Sequence, residues 1–306
     1  MEWEKRFARI KSLGAQGTDS ALEELLTNTD EQNTSVRCAL ATALANYPEN
    51  NNALSTLVEM LSDPETWVRI RAVQALAKFK ETKAPDYIIQ HLELEKNEKV
   101  RATMVKTIGL FNNEKFLPVL LTYLTDEDPR VRANTIEGLG YIKSPKVKAL
   151  LQPFLKDPNS RIKANAARII MNKEFSDNPA QDTLREMLFS EDQFERASAI
   201  YAIGDAALDK FLPVLIELIS DKSFIVQRNL AAALKHFGKK AEELVLKRLS
   251  DKDANIRANC CKILATIGTS SSLNKLIPHL DDSDGEVRSL CERAVSNIEE
   301  SDGGIN

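Results

Sequence analysis

Four cysteines, three histidines and a recurring acid–arginine pair are the residues of this chain whose types could do chemistry. Cys38, Cys260, Cys261 and Cys291 lack the paired spacing that holds a metal and the framework of a disulfide-stapled secreted domain. His91, His236 and His279 are followed by Leu, Phe and Leu, so none stands beside a carboxylate. No Gly-rich phosphate loop, Ser–His–Asp grouping or Cys–His nucleophile pair is present in the sequence. The acids and arginines remain. They occur as DPETWVR (63–69), DEDPRVR (126–132), DPNSRIK (157–163), DKDANIR (251–257) and DDSDGEVR (281–288). Recurrence in register suits helix capping and pairing between neighbouring elements better than catalysis at one centre. The expectation is a chain with no catalytic, metal-binding or cofactor-binding residues.

Aligned on its aliphatic residue, the motif gives Val36, Val68, Val100, Val131, Ile162, Glu195, Val226, Ile256 and Val287. The spacings are 32, 32, 31, 31, 33, 31, 30 and 31 residues, a period that signals a repeat architecture. Each unit reads as two helices. Apolar pairs eleven and seven residues before the anchor (Leu57/Leu61, Leu120/Leu124, Leu215/Ile219) lie one turn apart on one helical face. A second stripe runs from the anchor through positions +4 and +8, as in Ile256, Cys260 and Leu264. Cys260 and Cys291 share position +4 of successive repeats, which brings that pair together and leaves Cys261 facing elsewhere; a buried apolar role is expected for them.

Local signals mark the helix ends. Asp63–Pro64, Asp128–Pro129 and Asp157–Pro158 are expected to open second helices, with Asp as N-cap and Pro at the first position. Gly109, Gly140, Gly204, Gly238 and Gly268 are expected to close them as left-handed C-caps. Segment 1–14 aligns with 132–140 and reads as an N-terminal capping helix. Residues 1–298 then form a single solenoid, irregular around 173–205, with a flexible tail at 299–306.

Composition agrees. The chain is 306 residues long, 43% hydrophobic and only 6% aromatic, with 11 Gly and 11 Pro, too few turn residues for an all-β fold. Its net charge of −4 excludes a global basic field for nucleic acid. The opening MEWEKRFARI lacks a signal-peptide core, and no apolar run approaches the ~18–20 residues of a membrane span, so no membrane insertion and a cytoplasmic location are expected.

The pattern resembles HEAT repeats of the short bacterial type related to the phycobilin-lyase HEAT-like repeat, with the first-helix signature FLPVL at 116–120 and 211–215. The resemblance covers essentially the whole chain. It implies an all-α, right-handed α-solenoid of about nine helix pairs behind a capping helix, with an Asp–Arg ladder between neighbours. The iron-dependent deoxyhypusine hydroxylases of this fold carry His–Glu ligand pairs, which the three histidines here lack. The aromatic-rich pattern of the phycobilin lyases and the basic, aromatic cleft of the HEAT-like DNA glycosylases are also not matched.

In such repeats the second helix lines the concave side, which directs attention to positions −1, +3, +6 and +10. There stand nine basic residues, among them Arg71, Lys106, Arg130, Arg161, Arg168 and Lys262, against three acidic ones. With a total of −4, the stripe is a basic groove on an acidic body, concentrated in repeats 2 to 5. Asn134, Asn165, Asn229 and Asn259 recur at +3, free to bind a ligand or bonded to nearby backbone. Trp67, Tyr141, Phe194 and Tyr201 add aromatic contact points, Trp67 and Phe194 being equally suited to the core of their turns. The function expected is a non-enzymatic scaffold that holds a protein or peptide segment, an acidic one on the charge argument. Nucleic-acid or phosphate binding in the same groove, and a bilin lyase-like enzyme, are the alternatives.

Overall fold

The computed structural model describes residues 2–80, 82–171 and 179–303, all of them helix, turn or loop with no strand. Behind α1 (Glu2–Gln16) the helices alternate as first and second members of nine pairs. The opening pairs are α2 (Asp19–Leu26) with α3 (Thr34–Leu44), α4 (Asn51–Glu59) with α5 (Thr66–Leu76), and α6 (Ala84–Leu92) with α7 (Glu98–Leu110). Then come α8 (Leu117–Thr122) with α9 (Pro129–Tyr141), α10 (Pro145–Leu151) followed by α11 (Ser160–Ile170), and α12 (Pro179–Leu188) with α13 (Gln193–Asp205). The last are α14 (Leu212–Glu217) with α15 (Phe224–Lys235), α16 (Lys239–Arg248) with α17 (Ala254–Ile267), and α18 (Ser270–Leu276) with α19 (Gly285–Gly303). The chain divides into two compact units, Met1–Pro153 and Phe154–Asn306. Within each, second helices stack on second helices and first helices line the other side, an α-solenoid arrangement.

The core is the pair of stripes read from the sequence. Val36, Val68, Val100, Val131, Ile162, Val226 and Val287 are fully enclosed, as are Leu57, Leu120, Leu151, Leu184, Leu215 and Val245 on the first helices. Each side chain of this size contributes roughly 1.5–3 kcal/mol when removed from water, so the repeated stripe is the main stabilising force.

The helix caps differ from expectation in an informative way. The N-cap sits three residues before the anchor: Asn33, Asn97, Asp128, Asn159, Asp192, Ser223 and Asp253 each accept a bond from a backbone N–H of the first turn. Asp128 is therefore a cap with Pro129 behind it, as predicted, but Asp63 and Asp157 stand two residues earlier. Their carboxylates accept the N–H of Glu65 and Asn159 and fold the turn instead. Of the five glycines expected as left-handed caps, Gly238 alone has a positive φ, +53°. Gly109 and Gly204 lie inside helices, where added carbon would strike the next second helix at Gly138 and Ala233. They are crossing points, and Gly14 against Ala43 repeats the arrangement in α1.

The acid–arginine ladder links successive repeats. Arg6 meets Glu31, Arg37 meets Asp63, Arg69 meets Glu95 and Arg101 meets Asp126 in the N-terminal unit, at 2.7–3.2 Å. Arg196 meets Asp221 and Arg257 meets Asp282 in the other, both at 2.7 Å. Each arginine in these pairs from Arg37 onward also donates to carbonyls of the turn before its own helix, so one side chain ties three segments. Departures in two successive repeats compensate one another: Lys163 in the arginine place of one bonds Glu195 in the anchor place of the irregular repeat that follows. The expected irregular entry at 173–178 and tail end at 304–306 lie outside the described residues. Residues 299–303, expected to be tail, continue α19.

Candidate functional site

The exposed face of the second helices gathers some of the expected residues and withdraws others. In the N-terminal unit Trp67 is 58% exposed and Tyr141 40%, so Trp67 is a surface residue and not part of its turn's core. Arg71 is exposed and donates to Gln74 of its own helix. Lys106 pairs with Glu137 at 2.8 Å, and Arg130 lies 3.9 Å from both Glu98 and Asp128. Asn134 donates to the carbonyl of Ala102 on the preceding second helix.

In the C-terminal unit Phe194 is 55% and Tyr201 50% exposed, seven residues apart on one face of α13. Arg161 is exposed, but Asn165 is enclosed, only 1% accessible, and cannot serve an open face. Arg168 pairs with Asp205 at 2.7 Å and Lys262 with Glu286 at 3.1 Å. Asn259 donates to the carbonyl of Ile219 and Asn229 to that of Ile225. The asparagine row thus serves neighbouring backbone in each bond shown, and the acids of the stripe, Glu137, Asp205 and Glu286, each engage one of its bases. Three bases of the stripe are thereby paired, which softens its field at those points.

A hollow lies farther along than repeats 2 to 5. A groove of about 750 Å³ opens over the second helices α15, α17 and α19. Its floor is aliphatic (Ala231, Ile256, Ala258, Ile263, Ala265, Leu290) and its sides carry Arg228, Lys262 and Arg293. Phe224, 77% exposed, stands at its edge. Asn259 and Lys262 line it, whereas Asn229 does not. On α15 the lining residues are Phe224, Gln227, Arg228 and Ala231, a stripe at i, i+3, i+4 and i+7 that is one residue out of register with the positions used for the other repeats. A sequence signal for Arg228 exists: its position holds alanine in five other repeats, at 102, 133, 164, 197 and 258.

The thiols form a separate, dry cluster. Cys260, Cys261 and Cys291 are all fully enclosed. Contact runs between Cys261 and Cys291, not Cys260 and Cys291 as the spacing suggested, and Cys291 donates its S–H to the carbonyl of Leu276 at 3.0 Å. The +4 residues meet the core of their own repeats, and it is the following position on α17 that meets α19. Burial pushes the Cys260 thiol up to about 12, so it stays protonated at neutral pH. No group of three or more His, Cys, Asp or Glu side chains able to hold a metal occurs among the described residues. No described helix is long and apolar enough to cross a membrane.

Comparison with known proteins bears on the fold. The sequence matches the family description "HEAT repeats" at residues 21–96, 85–170, 117–204, 148–235 and 212–296. No curated protein sequence matches it. Among solved structures, the CpcE–CpcF complex of phycocyanin lyase from Nostoc sp. is 21% identical over 78% of this chain and 91% of that one, with a TM-score of 0.49. Human deoxyhypusine hydroxylase in complex with glycerol is 22% identical over 81% and 96%, with a TM-score of 0.39. Kap95p, solved with RanGDP, is 16% identical over 94% of this chain and 46% of that one, at 0.43. The matched stretches run together from residue 21 to 296, across the nine pairs of helices, and the chain belongs to the HEAT-repeat family.

Proposed function

We propose that this chain is a non-catalytic scaffold that binds a segment of a partner protein, acidic in character, along the exposed face of its second helices. The observation that carries the reading is where large apolar side chains meet water. Of eight such residues among those described, five (Trp67, Tyr141, Phe194, Tyr201 and Phe224) are on second helices, beside cations such as Arg71 and Arg228. Exposed aromatic and arginine side chains are the residues that dominate binding energy at protein interfaces. Two of the groups with displaced acidity serve the packing of the repeats. Asp282 is held down by Arg257 in the ladder. The Glu242 carboxylate is buried, which works against its charge, but donors from Ser272, Thr269 and Ser271 outweigh burial and lower it. Displaced acidity of this kind marks a catalytic centre when it gathers in a cleft, and here it supports the scaffold instead.

The test is capture of partners from the source cells on the immobilised chain, compared with Trp67→Ala/Arg71→Glu and Phe194→Ala/Tyr201→Ala. Both double variants change exposed side chains, so helicity and melting are expected to hold while capture of a protein falls. Undiminished capture by both variants would sink the reading. Recovery of nucleic acid instead, with a steep log–log dependence on salt, would favour phosphates as the ligand.

A further inference from the structure

The groove of the C-terminal unit combines apolar and charged lining, and its charges do not cancel. Three acids line it: Asp221 is paired with Arg196 and accepts the N–H of Ser223, Glu286 is paired with Lys262, and Asp253 accepts the N–H of Asn255 and keeps its charge. Three cations of the lining, Lys222, Arg228 and Arg293, are exposed and form no ion pair with another described residue, so they outnumber the one unpaired acid. The unspent charge on the walls is therefore positive. The floor between them is small and aliphatic, and the ring of Phe224 stands at the edge.

We infer that this groove, over α15, α17 and α19, takes a short acidic peptide whose carboxylates meet Arg228 and Arg293 while an aliphatic side chain rests on Ala231, Ala258 and Ala265. The inference rests on the scaffold reading and adds to it a place and a partner chemistry. A volume of about 750 Å³ is in the range of pockets that enclose a ligand or a few residues, too small for a folded domain. Nucleic acid is the poorer fit. Single strands bind by stacking bases on aromatic side chains, and the floor offers methyl and methylene groups with the one ring at its rim. Arginine forks suit carboxylates in two-point contact, and the apolar floor removes those contacts from water, where they strengthen.

Fluorescence polarisation of the full chain with a labelled peptide of Asp and Glu alternating with Leu tests the inference. Two competitors accompany it: the same peptide with Lys in place of its acids, and an oligothymidylate strand of equal charge. Wild type is expected to bind the acidic peptide and to prefer it to both. Arg228→Glu/Arg293→Glu is expected to weaken binding at least about tenfold with an unchanged circular dichroism spectrum. Phe224→Ala is expected to cost severalfold. Equal binding by the double variant, no binding by wild type, or tighter binding of oligothymidylate each overturns the proposal. Partner capture that survives Arg228→Glu/Arg293→Glu and is lost in Trp67→Ala/Arg71→Glu overturns this site while leaving the scaffold reading intact.

Discussion

Arg257 shows what a single residue does in this chain. Its Nε and Nη2 donate to the two oxygens of Asp282 at 2.8 and 2.7 Å, and its Nη1 donates to the carbonyl of Asp251 at 2.9 Å. Asp282 in turn accepts the N–H of Asp284, which turns the chain into α19. The pair is nearly enclosed, the side chains being 13% and 7% exposed. Removing the arginine would leave a carboxylate with most of its water gone. Arg257→Ala is expected to destabilise by about 1–3 kcal/mol, below the ~3–5 of a pair wholly buried, because the rim still reaches solvent. Urea midpoints measure this, and an unchanged midpoint would mean that the ladder is decorative. The pH dependence has a definite sign. The Asp282 carboxyl, bonded by Arg257 against the opposing effect of burial, lies below its ordinary value. Its stabilisation is full above the unfolded value of about 4 and is lost as pH falls toward the folded one. Asp282→Asn is expected to lower stability at neutral pH and to flatten the decline below about pH 4.

At the scale of the element, the glycines decide how closely second helices stack. Gly109 in α7 and Gly138 in α9 meet backbone to backbone, and a Cβ on Gly138 would lie 2.7 Å from the carbonyl oxygen of Val105. Two effects oppose each other in Gly109→Ala. Alanine gains about 1 kcal/mol of helix propensity over glycine. The new methyl, however, strikes main chain that no rotamer change can move, and overpacking of that kind costs about 1–3 kcal/mol even where side chains can shift. The clash wins, so Gly109→Ala is expected to lower the melting temperature. Gly285→Ala supplies the control, since its Cβ would meet nothing nearer than the end of the Arg288 side chain at 3.4 Å. It is expected to be neutral or slightly stabilising. Equal losses in both variants would show that the close crossing has no special weight. Glycine near the end of a second helix suggested caps because a terminal glycine and a crossing glycine look alike in one dimension. The partner that distinguishes them is 29 residues away.

Across the whole molecule, the period made the fold readable and the groove unreadable for the same reason. A repeat averages over its copies: nine anchors in register specify helix, turn and helix at once, and the enclosed Val36, Val68, Val100 and Val131 follow from that register alone. Function resides in departures from the average, which depend on neighbours in space. Counting charges could not reveal that Lys106 faces Glu137, nor that α15 presents Arg228 where five other repeats bury alanine. Lys163 and Glu195, each a departure in one dimension, resolve into one bond in three. The same near-neighbour logic governs stability. Within each unit a pair touches the pairs beside it, so a stacked array responds to damage locally, as a sum of repeat and interface terms. Leu57, fully enclosed on α4, tests this. Leu57→Ala is expected to remove about 2–5 kcal/mol from its surroundings. In native-state hydrogen exchange the amides of α4 and α5 and of the adjoining pairs should lose protection by that amount. Amides of α17 and α19 should exchange as in wild type, because their opening does not require the damaged pair to open. Uniform acceleration along the chain would mean instead that the nine pairs unfold as one cooperative body, and that the energy of each is shared by all.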